Sequence, residues 1–385
     1  MNALLNQLKS EQGALEKHFH YLHRHPELAF EESGSAAYIA EQLRGWGYEV
    51  TEGIAKTGVV ARLKVGDGKA SIGLRADTDA LPVREDSDLP YKSEVPGKSH
   101  MCGHDAHSSM LLGAAEYLAR HRNFDGTLNL IFQPAEEIMG GAPAMIKEGL
   151  FERFPMDRIF GLHNMPGLDV GKLYFTEGPI MAAVDNWEIE LTGKGSHGSM
   201  PEKSIDPLVA GAALVMSLQT IVSRNVGAKD SAVVSVGAFQ SGDAGNVIPQ
   251  SALLRLSTRT CTAATRTLVL ERIRAISSAI AQAYNVQHVI REGQPGAVLF
   301  NDGDETQSCV RIARDLLGED NVVVPGPTFM GSEDFAFYAQ QKPGVYAFIG
   351  NGDTPMVHHP KYVFDPSNLA VGAAYWVAIA QSYLR

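Results

Sequence analysis

The chain has 385 residues, 44% hydrophobic and 20% charged, with 33 Lys and Arg against 44 Asp and Glu for a net charge of -11. That length exceeds what one core comfortably fills, so two domains are expected. The acidic balance argues against nucleic acid or an anionic membrane as partner, since both need clustered Lys and Arg. Cys102, Cys261 and Cys309 are far apart and odd in number. This is the pattern of a reduced, cytoplasmic protein rather than of a disulfide framework.

Leu4–Leu22 and Ser35–Trp46 space apolar residues three and four apart and are predicted helices, the second closed by Gly45 and Gly47. The N-terminal stretch has no apolar run of the signal-peptide kind and reads as an amphipathic helix. Val59–Val65 and Ser71–Arg75 are short β-rich runs, and Asp77 and Asp79 follow. Carboxylates just past a strand's C-terminal end lie where open α/β sheets place their ligands. Met101–His107, Met-Cys-Gly-His-Asp-Ala-His, then gathers a thiol, two imidazoles and a carboxylate ahead of a predicted helix at Ser108–Arg120. A soft thiolate two positions from an imidazole suits a transition metal. Leu128–Phe132 is a strand that Pro134 stops, so Glu136 and Glu137 fall on the loop beyond it; Arg158–Leu162 is a strand delivering His163. This alternation predicts an α/β fold with a mixed, largely parallel sheet flanked by helices.

The middle of the chain changes pattern. Trp187–Thr192 (strand), Asp206–Ser223 (helix), Ala232–Phe239 and Ala252–Thr258 (strands), Thr265–Tyr284 (helix) and Val286–Arg291 (strand) run β-α-β-β-α-β. That is the ferredoxin-like order, so residues 184–294 are expected as an inserted domain, with 1–183 and 295–385 forming the main one. The first pattern returns with a helix at Asp304–Leu317, strands at Val322–Val324 and Val345–Ile349, and a helix at Pro366–Leu384. The longest apolar runs, Pro207–Leu218 and Leu369–Ala380, are about 12 residues against the roughly 20 of a membrane span. Both are expected as buried helices, with no membrane partner.

Asp77, Asp79, Cys102, His104, Glu136, Glu137, His163, His358 and His359 all belong to the main domain, mostly where its strands end. Taken singly, each has an ordinary explanation: a buried small residue, a satisfied histidine, a solvated pair of acids. Together they match a two-metal hydrolytic site, in which each ion takes several N, O or S ligands and one ligand bridges. One carboxylate must stay off the metals to accept a proton from the attacking water, and the adjacent pair Glu136-Glu137 offers both tasks. Gly193-x-Gly195-x-x-Gly198 matches a dinucleotide fingerprint, but Pro201-Glu-Lys203 follows in place of a helix and no acidic residue stands about 20 positions on. A thiol hydrolase using Cys102 with His104 or His107, and a non-catalytic binding protein on a degenerate scaffold, are the competing classes.

Arg75-Ala-Asp-Thr-Asp-Ala-Leu-Pro82, Met101–His107, Phe132-Gln-Pro-Ala-Glu-Glu137, Gly161-Leu-His163, Gly193-Lys-Gly-Ser-His-Gly198, Gly331-Ser-Glu-Asp-Phe335 and His358-His-Pro360 resemble motifs of one family. It is the two-metal aminoacylase/carboxypeptidase family, in its amidohydrolase branch of hippurate hydrolases, N-acyl-amino-acid deacylases and auxin–amino-acid conjugate hydrolases. The resemblance implies a zinc-exopeptidase-like catalytic domain with an inserted lid and dimerisation domain, and hydrolysis of N-acyl amino acids to an acid and a free amino acid. A carboxypeptidase or dipeptidase on the same scaffold is the alternative activity. Two divalent ions (Zn, Mn, Co or Ni) are implied, held by Cys102, His104, Glu137, His163 and His358, with Cys102 bridging and Glu136 as general base. His197, reaching a neighbouring subunit's site, would donate to the developing oxyanion. Asn246 and Arg259 would hold the amino-acid end, and Asp79 would orient the ligands from behind. The family's last ligand stands two residues before the proline, which favours His358; His359 occupies a position where many relatives carry Asn or Ser and is the competing ligand. A homodimer through the inserted domain is expected.

Overall fold

The computed structural model describes residues 3–385. The chain opens on three helices, α1 (Ala3–Ser10), α2 (Gln12–Arg24) and α3 (Ser33–Gly45). Strands and helices then alternate: β1 (Glu49–Ile54), β2 (Gly58–Val65), β3 (Ser71–Asp77), α4 (His104–His121), β4 (Gly126–Gln133), α5 (Gly141–Lys147), α6 (Leu150–Arg153), β5 (Arg158–Met165), β6 (Leu173–Tyr174) and β7 (Gly178–Met181). The middle comprises β8 (Ala183–Thr192), β9 (Ser196–His197), α7 (Pro207–Arg224), β10 (Ala232–Gln240), β11 (Val247–Ile248), β12 (Ser251–Thr260), α8 (Ala263–Ala283) and β13 (Gln287–Glu292). The last part holds β14 (Leu299–Asn301), α9 (Gly303–Leu317), β15 (Val322–Val323), α10 (Phe335–Ala339), β16 (Gly344–Gly350) and α11 (Asn368–Tyr383).

Contacts divide the chain into two compact units. One contains residues up to Gly178, Phe300–Thr328 and Glu333–Arg385; the other contains Pro179–Leu299 with Phe329–Ser332. The division therefore falls a few residues outside 184 and 294, because the chain on either side of the ferredoxin-like strands also packs with the second unit, and a four-residue loop joins it.

The first unit is built on an eight-stranded sheet in the order β1-β2-β4-β3-β5-β16-β6-β15. Its centre, β4-β3-β5-β16, is parallel throughout. Parallel pairing brings the C-terminal ends of those strands to one edge, and the residues following them meet there. Ile72, Leu74 and Ala76 of β3 join the main core with α4 and α11. By the two-residue alternation of a strand, Arg75 turns to the other face, where α10 packs on β5 and β16. α4 and α11 are buried along most of their length.

Several sequence expectations shift by a few residues, each for a local reason. The predicted first helix is broken at Glu11, where Ser10 Oγ donates back to the Gln7 carbonyl at 2.6 Å and bends the turn. β1 escapes a reading of apolar pattern because it is an edge strand in which Ile54 alone is fully buried. α4 begins at His104 rather than Ser108, so both histidines of the Met101–His107 stretch lie on a helix.

The second unit has a four-stranded antiparallel sheet in the order β10-β12-β8-β13, the ferredoxin-like arrangement. Asp206 caps α7 by accepting from the Leu208 and Val209 N–H groups, with Pro207 in the first turn, and Thr262 caps α8 through Thr265 N–H. The apolar run at Pro207 does not give a buried helix. α7 extends to 18 residues, long and apolar enough by composition to cross a membrane, yet only 33% of it is buried. Ala210, Leu214, Leu218 and Ile221 pack into this unit's core, while Leu208, Val209, Met216 and Val222 remain exposed. Spacing of three and four on one face leaves the other to solvent.

Candidate metal centre

Gly103 enters α4 with φ +90°, and a Cβ there would come within 2.3 Å of Asn164 Nδ2 and 2.7 Å of the Tyr362 hydroxyl. Only glycine lets the chain turn this tightly. The turn puts Cys102 before the helix and His104 on its first turn, both buried. His104 Nδ1–H donates to the Asp79 carbonyl at 2.8 Å, with Asp79 Oδ1 at 3.2 Å. Its Nε2 is thereby left buried and without a hydrogen-bond partner, and it offers a lone pair when the ring is neutral.

His163, on β5, uses Nδ1–H on the Asn164 carbonyl at 2.5 Å and turns Nε2 to within 3.4 Å of Cys102 Sγ. β4 ends at Gln133, and the turn after Pro134 carries Glu136, buried, and Glu137, half-buried. Ala135 holds φ +54° in this turn, a conformation costing an alanine about 1–2 kcal/mol. Asp79 Oδ2 accepts from the Glu137 N–H at 3.0 Å, so one carboxylate steadies both the His104 ring and the Glu137 backbone. His358, at φ +70°, anchors its N–H on the Met101 carbonyl at 2.6 Å and brings Nε2 to 3.3 Å from Glu137 Oε1. His359 points elsewhere: its Nδ1 accepts from the Lys361 N–H at 3.0 Å.

Among the described residues, five sets of donor atoms each lie within 4.8 Å of one another and share members: Cys102, His104 and His163; Cys102, Glu137 and His358; His104, Glu136 and Glu137; Asp77, His104 and His107; and Glu136, Glu333 and Asp334. The shared members make this one continuous cluster, with lone pairs of N, O and S facing inward. That chemistry fits a pair of borderline divalent ions. The electrostatics agree. Burial pushes the Cys102 thiol well above its ordinary range, and Glu137, Glu136 and Asp77 push it further. Glu136 is likewise raised well above a normal carboxyl, first by burial and then by Glu333, Glu137 and Asp334. Burial alone would lower His104, but Asp77, Asp79 and Glu137 outweigh it and bring the ring to about 10. With those protons removed, the same side chains would carry an excess of negative charge, which dications would offset.

The contacts of the supporting residues could not be read from the sequence. His107 donates from Nδ1 to Asp77 Oδ1 at 2.7 Å and accepts at Nε2 from the Asn164 N–H at 3.1 Å. Both of its nitrogens are engaged, although it also stands with Asp77 and His104 in one of the donor sets. Asn164 Nδ2 in turn donates to the Cys102 carbonyl at 2.7 Å and accepts at Oδ1 from the Tyr362 hydroxyl at 2.6 Å. Asp105 accepts from His23 Nδ1–H at 2.6 Å, tying α2 to the start of α4. Arg75, wholly buried, reaches Gln133, Asp77, Glu333 and Asp334 at 2.7–3.0 Å. A charge inside an otherwise apolar strand is the one sequence signal that marks Arg75.

In the second unit, β9 pairs with β11 and sets His197 opposite Val247, and the Gly198 N–H donates to the Asn246 carbonyl at 2.7 Å. His197 and Asn246 are therefore neighbours, and both are exposed. His197 Nδ1 accepts from the Ser199 N–H at 3.2 Å, so a neutral ring carries its proton on Nε2. Arg259, on β12, donates from Nη1 to Ser332 Oγ at 2.7 Å.

The sequence matches the profile of peptidase family M20/M25/M40 over residues 73–382. The chain belongs to this family. Within it, the chain is 45% identical to the hippurate hydrolase of Campylobacter jejuni over 382 residues, covering 99% of this chain and 100% of that one. It is 37% identical to the N-acetylcysteine deacetylase of Bacillus subtilis, over 93% of this chain and 94% of that one. Among solved family structures, the YXEP protein of Bacillus subtilis, described as a dinuclear metal-binding peptidase, superimposes with a TM-score of 0.85 at 34% identity, covering 98% and 99% of the two chains.

Proposed function

We propose that this protein is a metal-dependent amidohydrolase that cleaves N-acyl amino acids, hippurate among them, to a carboxylic acid and a free amino acid. The observation that carries this reading is the full-length similarity to hippurate hydrolase, in a chain that brings Cys102, His104, Glu137, His163 and His358 into one cluster of donors. Cys102, His104, Glu137, His163 and His358 would hold two divalent ions of the Zn, Mn, Co or Ni class. Bound there, the ions would polarise the scissile carbonyl and acidify the attacking water.

The chain's own groups do the rest. Glu136 accepts the proton of the water and passes it to the leaving amine, a role suited to a buried carboxyl whose pKa is raised. Asp79 fixes the His104 ring and the Glu137 backbone, as outer partners of metal ligands do. Asn246 and the Arg259 guanidinium bind the free carboxylate of the amino-acid end. His197 offers its Nε2–H to the developing oxyanion, a contribution of about 3 kcal/mol when well aimed.

Incubating the metal-loaded protein with hippurate and N-acetyl amino acids should release free amino acid, and a chelator should stop it. Activity that survives chelation but not thiol alkylation would instead make this a thiol hydrolase.

The proposed assembly is a homodimer through the second unit, with His197 acting in the partner's site. The exposed apolar face of α7 and the unpaired edge strand β10, where Val233 and Phe239 are exposed, favour it. Mixing Glu136→Gln with His197→Ala protein under subunit exchange should restore roughly a quarter of wild-type activity, since half the dimers are mixed and each has one intact site. No recovery, despite proven exchange, would place His197 in its own subunit's site; a His197→Ala protein as active as the wild type would place it outside the reaction.

A further inference from the structure

We infer that Glu32 is a positioning residue for the base: its carboxylate holds the backbone N–H of Ala135 and so sets the direction in which Glu136 leaves the turn. This rests on Glu136 being the base, as proposed above.

Glu32 stands at the start of α3, in the segment before the family match begins at residue 73. Its side chain is completely buried, at 0% exposure. Oε1 accepts from the Ala135 N–H at 2.9 Å and Oε2 accepts from the Thr57 hydroxyl at 2.5 Å. No basic side chain pairs with it among the described residues. A carboxylate buried without a counter-charge is an expensive way to fill space. A neutral or apolar residue would serve the packing alone at lower cost, so the acceptor atoms need another reason.

The turn supplies that reason. Ala135 is in the left-handed region at φ +54°, which a side-chain-bearing residue adopts only when its surroundings hold it there. Its carbonyl accepts from the Gly140 and Gly141 N–H groups, both at 3.1 Å. Its own N–H is claimed by Glu32. Further along, the Glu137 N–H goes to Asp79 Oδ2 at 3.0 Å, and the Ala142 N–H goes to Asp334 Oδ2 at 2.9 Å. Charge-assisted hydrogen bonds of this kind are the strong ones. Three carboxylates thus grip the segment around Glu136, and Glu32 grips the residue directly before it. Without that contact, Ala135 is free to relax toward negative φ and swing the Glu136 side chain. A shift of about 1 Å in a reacting group can cost on the order of 100-fold in rate.

The test compares metal-loaded Glu32→Met, which keeps the volume but loses the acceptor, with Glu32→Gln, which keeps an acceptor oxygen. Turnover of hippurate, metal content and amide hydrogen exchange across residues 133–141 are measured for both, with Glu136→Gln alongside. Glu32→Met should lose on the order of 10- to 100-fold in kcat with KM nearly unchanged and full metal content, and its Ala135 amide should exchange faster. Glu32→Gln should recover most of kcat and of the amide protection. The inference is overturned if Glu32→Met keeps wild-type kcat, if Glu32→Gln is as impaired as Glu32→Met, or if the loss follows lost metal. It is equally overturned if neither Glu32→Met nor Glu32→Ala folds, which would make Glu32 a residue of the fold alone. If Glu136→Gln stays active, it is the assignment of the base that fails.

Discussion

Glu136→Gln should remove nearly all turnover, on the order of 1,000-fold or more, while leaving the metal content of the protein unchanged. The two halves of that result have separate causes. Glutamine keeps the shape of the side chain and can still accept at Oε1, where the Asp334 N–H approaches at 3.4 Å. It cannot take a proton. Glu136 also lies at the meeting point of two groups: the His104 and Glu137 donors on one side, and the Glu333 and Asp334 carboxylates on the other. Negative charge on the second side keeps its pKa high and its basicity with it. Glu137→Gln should behave differently, losing metal first and activity with it, because Glu137 lies within reach of His104 and His358. The contrast between neighbouring residues is the check. A Glu136→Gln protein that retained full activity, or that lost its metal, would reverse the assignment of the pair.

Arg75→Met should destabilise the protein by about 3–5 kcal/mol, the usual result of removing one partner from a buried ionic cluster. The guanidinium of Arg75 is 1% exposed, and each of its partners Asp77, Gln133, Glu333 and Asp334 is no more than 2% exposed. Nε donates to Gln133, Nη1 to Asp77, and Nη2 to both Glu333 and Asp334. The Tyr346 hydroxyl donates to the remaining Glu333 oxygen. Methionine fills the volume but leaves three buried carboxylates without their cation. Arg75→Lys restores the charge without the fork and should fall between. Thermal unfolding is the measurement, with a fall in Tm of about 10 °C expected for Arg75→Met. A Tm for Arg75→Met equal to the wild type would mean that the fold does not depend on this counter-ion.

How far the sequence alone reaches depends on what kind of residue is asked about. Ligand types with unusual neighbours are legible: Cys102 and His104 two apart, Glu136-Glu137 past a proline, His163 at a strand end. The doubled His358-His359 is resolved only by backbone geometry, since the left-handed conformation at His358 turns its ring to Glu137 while His359 caps its own turn. Helix and strand order, including the ferredoxin-like middle, follows from periodicity. Short edge elements with few buried residues, such as β1, do not.

Least legible are the groups that act through backbone atoms or through charges buried out of pattern. Glu32 reads as one of two adjacent acids before a helix, and nothing local indicates that it reaches Ala135, more than a hundred positions away. His107 looks as good a ligand as His104 until both of its nitrogens are found engaged. Glu333 and Asp334 belong to a motif whose partner is Arg75, on a different strand of the chain. Such pairings depend on which strands lie side by side, and that is fixed by the whole sheet rather than by any one stretch.

The central claim is that Cys102, His104, Glu137, His163 and His358 form a centre for two ions on which amide hydrolysis depends. Titrating metal-free protein with Mn or Zn tests it most directly, following bound metal and hippurate hydrolysis in the same samples. The account predicts no activity without metal, tight uptake of about two ions per chain, and activity that saturates with the second. Full hydrolysis by protein stripped of metal, or saturation with no ion bound at this cluster, would contradict it.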